Sequence, residues 1–285
     1  MEKAKEGFLL EWNNYRLDLG IRTHIMGVLN VTPDSFSDGG LYLDTDKAVE
    51  RALEIEEEGA DIIDIGGEST RPGALPISPE EELSRVIPVI ERLSSRLKIP
   101  ISIDTYKAQV AREAIEAGAS IINDISGLRF DPEMASVAAQ YDVPLIIMHI
   151  KGTPRDMQIN PVYQDIIGEI FEFLHDGISI ALKAGVYEDK IIIDPGIGFG
   201  KTFEHNLEII NRLDEFRSLG RPILFGPSRK SFIGKILDLP ADDRLEGTAA
   251  AVAIGIIKGA DIVRVHDVRS MVRVARVADA IKNME

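Results

Sequence analysis

Eight short apolar runs, each followed by a stretch of helical length, constrain the fold of this chain more than any other feature. Residues 24–29, 62–65, 101–103, 120–122, 145–148, 191–193, 223–225 and 262–265 are rich in Ile and nearly continuous in apolarity. A strand wet on one face would alternate apolar with polar residues, so uninterrupted runs point to a parallel sheet covered on both faces. The intervening stretches carry helix punctuation. Residues 45–58 have Asp46 near the start and Gly59 just past the end, as caps require. Ser78-Pro79-Glu80-Glu81 puts a proline at the first helical position behind a serine cap. The alternation continues through 107–117, 132–140, 162–183, 203–216, 244–258 and 270–282. Eight strand and helix units in 285 residues match the number and size of an α/β fold of the (β/α)8 TIM barrel type. A doubly wound open sheet usually has fewer strands and a glycine fingerprint at its first turn. Ahead of the barrel, residues 9–19 with Asn13-Asn14 at the turn read as an N-terminal β-hairpin under the barrel floor, within residues 1–20. No linker or low-complexity block divides the sequence, so residues 1–285 are expected to form a single domain.

A net charge of −15 disfavours nucleic acid, whose phosphates demand a basic surface. A small anionic ligand remains open, provided that a few cations gather locally. The absence of cysteine excludes disulfides, thiolate metal sites and a cysteine nucleophile, and suits a reducing cytoplasm. No run approaches the roughly 20 apolar residues that a bilayer needs, so neither membrane insertion nor secretion is expected.

Catalysis in such a barrel sits where the strands end, and polar residues recur at those positions: Asn30, Asp64 through Arg71, Asp104, Asn123-Asp124, His149, Asp194, Ser228-Arg229-Lys230, and Arg264 with His266. The first strand opens into Asn30-Val31-Thr32-Pro33-Asp34-Ser35-Phe36-Ser37-Asp38-Gly39-Gly40, whose oxygens suit a hard cation or the water shell of a phosphate. Any one of these residues could be a helix cap or a turn, and for Asp124 and His149 that plain reading stands beside the functional one. Asp104, Asn123 and Asp194, with Ile125, Met148 and Phe199 nearby, suit a flat heterocycle whose ring N–H and exocyclic amino group need acceptors. A metal site is the alternative for that set. Lys230, Arg71, Arg264 and His266 supply the local positive charge. Arg264 and His266 face one side of their strand, toward a phosphate or, for Arg264, a buried carboxylate partner. Gly196-Ile197-Gly198-Phe199-Gly200-Lys201-Thr202 imitates a nucleotide-binding P-loop but is one residue too short between its glycines; a tight turn presenting Phe199 to a flat ligand is expected.

These motifs, together with Gly66-Gly67-Glu68-Ser69-Thr70-Arg71-Pro72-Gly73, Ile103-Asp104-Thr105, Gly152-Thr153-Pro154, Ser228-Arg229-Lys230-Ser231 and Arg264-Val265-His266-Asp267, closely resemble those of the dihydropteroate synthases over nearly the whole chain. The resemblance implies transfer of a dihydropterin methylene group from 6-hydroxymethyl-7,8-dihydropterin diphosphate to p-aminobenzoate, through a pterin carbocation. It implies a pterin pocket of Asp104, Asn123, Ile125, Met148, Asp194, Phe199, Gly226, Lys230 and Arg264. Asn30, Arg71, Arg264 and His266 would hold the diphosphate, Asn30 through Mg²⁺. Phe36, Thr70, Arg71, Pro72, Phe199, Lys230 and Ser231 would hold p-aminobenzoate, with sulfonamides in the same slot. Asp38, Asp104, Lys230 and Arg264 would act in catalysis. The alternatives are a corrinoid-dependent methyltransferase acting on methyltetrahydrofolate, which has no use for the Ser69-Thr70-Arg71-Pro72 or Asn30 loop, and a non-catalytic pterin-binding paralogue, which would lack the diphosphate cations or the Ser228-Arg229-Lys230-Ser231 segment. A homodimer is expected, with the stripe Met271, Val272, Ala275, Ala278 and Ile281 as its contact.

Overall fold

The computed structural model describes residues 7–32 and 41–284, with only the backbone for residues 41–44. Strands β1 (Leu9–Trp12) and β2 (Tyr15–Asp18) form the antiparallel hairpin, turning at Asn13 with φ 48°. Asparagine tolerates that left-handed conformation better than most residues. Strands β3 (His24–Asn30), β4 (Ile62–Gly66), β5 (Ile101–Asp104), β6 (Ile121–Asp124), β7 (Leu145–Met148), β8 (Ile191–Asp194), β9 (Leu224–Phe225) and β10 (Ile262–Val265) follow. They pair in parallel in the order β8-β7-β6-β5-β4-β3-β10-β9, and a bridge between Ile193 and Ile223 joins the two ends into a barrel.

The uninterrupted apolarity of the runs has its cause here. One set of side chains points inward and the other packs under helices, so neither face meets water. The hairpin closes the floor: Leu10, Trp12, Leu17 and Leu19 pack on Met26, Ile62, Ile121, Ile146, Ile192, Leu224 and Ile262 in the lowest layer of the barrel. Burying each such side chain contributes roughly 1.5–3 kcal/mol, enough to hold a four-residue strand pair that would not persist alone.

The outer ring comprises α1 (Leu41–Glu57), α2 (Pro79–Ser94), α3 (Ala108–Ala117), α4 (Met134–Tyr141), α5 (Ile166–Ala184), α6 (Phe203–Asn211), α7 (Ser231–Leu237), α8 (Leu245–Ile257) and α9 (Val268–Lys282). Ser78 caps α2 by accepting from the Glu81 amide at 3.2 Å. The stretch expected as one helix over 162–183 starts later, because Asp165 accepts from the Gly168 amide and sets the first turn there. That expected over 203–216 divides into α6 and a 3-10 helix, Leu213–Leu219. Helix α7 has no counterpart in the sequence reading, since seven residues are too few to show a helical period.

The stripe read from α9 as a dimer contact requires correction. Met271, Ala275 and Ala278 are buried in the protein's own core, Val272 packs against it, and only Ile281 is exposed. A helical period reveals that a face is apolar, not what covers it. The exposed apolar residues on this side are Ile254 and Ile257 of α8 with Val277 and Ile281 of α9. No helix among the described residues is long and apolar enough to cross a membrane.

Candidate active site

Parallel register brings the C-terminal residues of the barrel strands to one level. Asn30 lies opposite Gly66, Gly66 opposite Asp104, Asp104 opposite Asn123, and Met148 opposite Asp194. Around this level Asp104, Asn123, Ile125, Met148, Asp194, Ile197, Phe199, Gly226, Lys230 and Arg264 line one small cavity. Every residue that the family resemblance assigned to the pterin ring is on its wall, with Ile197 in addition. Ile125, Met148 and Phe199 belong to a small apolar cluster with Ile150 and Met157, which forms one side.

Charge is organised around Arg264. Its Nε donates to Asp64 Oδ2 at 2.6 Å and its Nη2 to Asp104 Oδ2 at 2.6 Å. Burial works against a charge here, but the two carboxylates outweigh it and keep the guanidinium firmly protonated. The buried carboxylate partner that the sequence offered for Arg264 is therefore present twice over, and the residue also lies on the cavity wall. Asp64 was missed as a site residue. The signal was present: a carboxylate in Ile62-Ile63-Asp64-Ile65 is as costly without a partner as an arginine in Ile262-Val263-Arg264-Val265.

Burial raises the Asp104 carboxyl to about 7, with Arg264 pulling down and Asp64 pushing up. Asp194 is raised to about 6 by burial, although its Oδ1 accepts from the Gly196 amide at 2.7 Å. Lys230, whose ammonium lies 4.1 Å from the centre of the Phe199 ring, is lowered to about 8 by burial and then by Arg264. His266 departs from its expected role as a cation. Burial, then Arg264 and Arg229, hold it near 3, so the imidazole is neutral at physiological pH. Its backbone N–H donates to Ser228 Oγ at 3.2 Å, and that hydroxyl lies 2.9 Å from Nδ1. With the Ser228 hydroxyl donating to Nδ1, the neutral ring would carry its proton on Nε2.

The plain reading describes Asp124 and His149. Asp124 accepts from the Ser126 and Leu128 amides at 2.8 Å each and shapes a turn. His149 Nδ1 accepts from Lys201 Nζ at 2.7 Å, while Lys201 also donates to the carbonyls of His149 and Phe199. This lysine is thus spent inside the protein, where it closes the turn instead of serving a phosphate.

The Gly196–Gly200 turn holds Phe199 at the cavity, with φ of 70°, 83° and 67° at Gly196, Gly198 and Gly200. A Cβ on Gly196 would stand 1.9 Å from the His149 carbonyl oxygen. Gly196→Ala is therefore expected to destabilise the protein by about 3 kcal/mol or more, from strain plus overlap. A denaturant melt checks it; a parental midpoint would contradict this account of the turn.

Other expected residues stand apart from the wall. Thr70 is half-buried, whereas Arg71, Pro72 and Ser231 are exposed, and Arg71 makes no ion pair among the described residues. Their loop is anchored at its base, where Glu68 accepts from Tyr106 Oη at 2.6 Å and from Lys107, and at Gly73, whose amide donates to the Pro154 carbonyl at 3.0 Å. Asn30 is half-buried at the end of β3, its carboxamide oxygen turned toward Gly66. Phe36 and Asp38 lie outside the described residues.

Comparison with known proteins agrees with this site. The family model described as pterin binding enzyme matches residues 26–266. The dihydropteroate synthase of Bacillus subtilis is 55% identical over 92% of this chain and 90% of its own. A crystal structure of dihydropteroate synthase from Clostridium difficile, in the presence of pteroic acid, superposes with a TM-score of 0.87 at 52% identity, covering 91% of this chain and 97% of that one. The Yersinia pestis dihydropteroate synthase, solved with a sulfonamide drug complex, gives 0.91 at 42% identity, covering 96% and 99%. The barrel, the cavity and the extent of these matches converge: the chain belongs to the dihydropteroate synthase family of pterin-binding enzymes.

Proposed function

We propose that the cavity holds the ring of 6-hydroxymethyl-7,8-dihydropterin diphosphate, that p-aminobenzoate enters beside Phe199 and Lys230, and that its amine displaces diphosphate at the pterin methylene. The observation that carries this is the meeting of acceptors and apolar surface around one cavity: Asp104, Asn123 and Asp194 line it together with Ile125, Met148 and Phe199. A flat, donor-edged heterocycle satisfies both. The relatives' pteroic acid and sulfonamide complexes support the same ligand classes here. The corrinoid methyltransferase reading has no comparable support.

The chain's residues divide the work by charge. Asp194 and Asp104 accept from the ring and, being anionic, favour positive charge developing on the pterin. Lys230 donates to the ring carbonyl and covers Phe199. Arg264 and the Nε2–H of His266 face the departing diphosphate, joined by Arg71 once its loop folds inward, a closure that would exclude water from the cation. Thr70, Pro72, Ser231 and Phe36 would complete the p-aminobenzoate slot. Asp38, which lies outside the described residues, would add a further carboxylate.

The residues fit a magnesium ion in a limited way. No cluster of three acidic or histidine ligands occurs among the described residues, and Asn30 offers one amide oxygen, which suits an ion that keeps waters and takes oxygens from the diphosphate. Mg²⁺ bound there would neutralise charge on the leaving group. We further propose a homodimer through the exposed face of Ile254, Ile257, Val277 and Ile281, and a cytoplasmic setting in keeping with the cysteine-free sequence.

Incubating the protein with the pterin diphosphate, p-aminobenzoate and Mg²⁺ tests the assignment: diphosphate release is expected, abolished by EDTA and restored by Mg²⁺. Without p-aminobenzoate, oxygen label in the bridging position should scramble into non-bridging positions if ionisation comes first. Turnover indifferent to metal removal would refute the role of Asn30, and no release at all would refute the assignment.

The pH profile of kcat/KM should be bell-shaped. Asp194 and Asp104 must be ionised to accept from the ring, so activity rises as the pH climbs through about 6 and then about 7; Lys230 must stay protonated, so activity falls above about 8. A profile flat from pH 5 to about 9 would exclude these groups from the limiting titrations.

A further inference from the structure

We infer that Asp64, beneath the cavity and not on its wall, is the positioning residue that makes the pterin wall accept hydrogen bonds rather than donate them. The inference rests on the reading that the cavity takes a pterin. An asparagine at a pocket wall is ambivalent, since its carboxamide can turn either the oxygen or the NH2 toward the ligand. Asn123 has no such freedom. Its Nδ2 donates to Asp64 Oδ2 at 3.0 Å, which leaves the carbonyl oxygen for the cavity. The same Asp64 oxygen takes the Nε–H of Arg264 at 2.6 Å, while Asp104 takes the Nη2 side. The Asn123 amide nitrogen and the Nε edge of Arg264 are thereby turned to the protein. What remains on this wall is the Asn123 oxygen, the second oxygen of Asp194, and Asp104 Oδ1, a buried acceptor with no partner. Three acceptors await a ring that brings donors.

Asp64 is itself 0% exposed, flanked on β4 by Ile63 and Ile65. A carboxylate in such a place costs stability unless it is bonded. Its two bonds go to the two wall residues whose orientation decides recognition, which is a more specific arrangement than a generic buried pair.

The test compares two ligands by calorimetry: a pterin and its 2-oxo analogue, in which a carbonyl replaces the exocyclic amino group. The parent should strongly prefer the amino ring. In Asp64→Ala the Asn123 amide is released and can turn its NH2 to the analogue's carbonyl, so the preference should shrink by about tenfold or more. Equal weakening for both ligands, or an unchanged ratio, would mark Asp64 as merely structural and overturn the proposal. Failure of the parent to bind the pterin would overturn the underlying reading as well, a result distinguishable from the former. Should Asp64→Ala not fold, the parent protein still decides: the ligand-free Asn123 side-chain amide protons should be protected from solvent exchange by NMR, and rapid exchange would overturn the proposal.

Discussion

Asp194→Asn is expected to lower pterin affinity by roughly two to four orders of magnitude, while leaving the protein at least as stable as the parent. The two effects have opposite causes. One carboxylate oxygen of Asp194 accepts from the Gly196 amide at 2.7 Å and holds the turn. An asparagine keeps that bond with its own oxygen, which forces the NH2 into the place where a ring donor must bind, so donor meets donor. Stability moves the other way. Asp194 is 5% exposed, and burial has raised its carboxyl to about 6, a sign that the ionised form is held at a cost. A neutral amide of the same shape removes that cost. Calorimetry with a pterin and a thermal melt on the same sample separate the outcomes. Parental affinity would displace Asp194 from the ring edge; loss of both affinity and stability would show the turn, not the ring, to be its main partner.

Arg264→Ala should be the most damaging single substitution at the site, costing about 3–5 kcal/mol of stability and reducing turnover below detection. Arg264 is the only charge bonded to both Asp64 and Asp104 among the described residues, and its removal leaves two buried carboxylates without a bonded cation, Lys230 acting on Asp104 only from a distance. The pH dependence identifies this mechanism. Asp104 already sits near 7, above the usual carboxyl value, so the folded state holds a proton that the unfolded chain releases. For such a group, stability is fully present below the unfolded pKa and is lost as the pH rises through the folded one. Without Arg264 the folded value rises further, so the gap between variant and parent should widen above pH 7 and narrow below it. Urea melts at two pH values measure this. A gap independent of pH would assign the loss to packing alone.

The barrel was legible because it depends on local pattern. Eight Ile-rich runs at regular spacing, with caps such as Ser78-Pro79 and turns such as Asn13-Asn14, state the fold without reference to any distant contact. The cavity wall was legible in composition too, since the ends of barrel strands collect at the mouth. Helix α7 was not, being shorter than the period that would betray it. Nor was the side of α9 that the barrel covers, because that helix carries apolar residues on both faces.

What the sequence determined by itself is therefore the eightfold architecture, the level at which chemistry collects, and the family that its motifs resemble. Only the tertiary structure decided how the charges are shared. Arg264 meets Asp64 across 200 positions of chain and Asp104 across 160; His266 is neutral because it is buried and its neighbours are cationic; Asn123 gives its amide nitrogen to Asp64. The physical reason is the same in each case. Protonation and hydrogen-bond polarity are set by burial and by partners within a few ångströms, and those partners are brought together by closure of the barrel rather than by proximity along the chain.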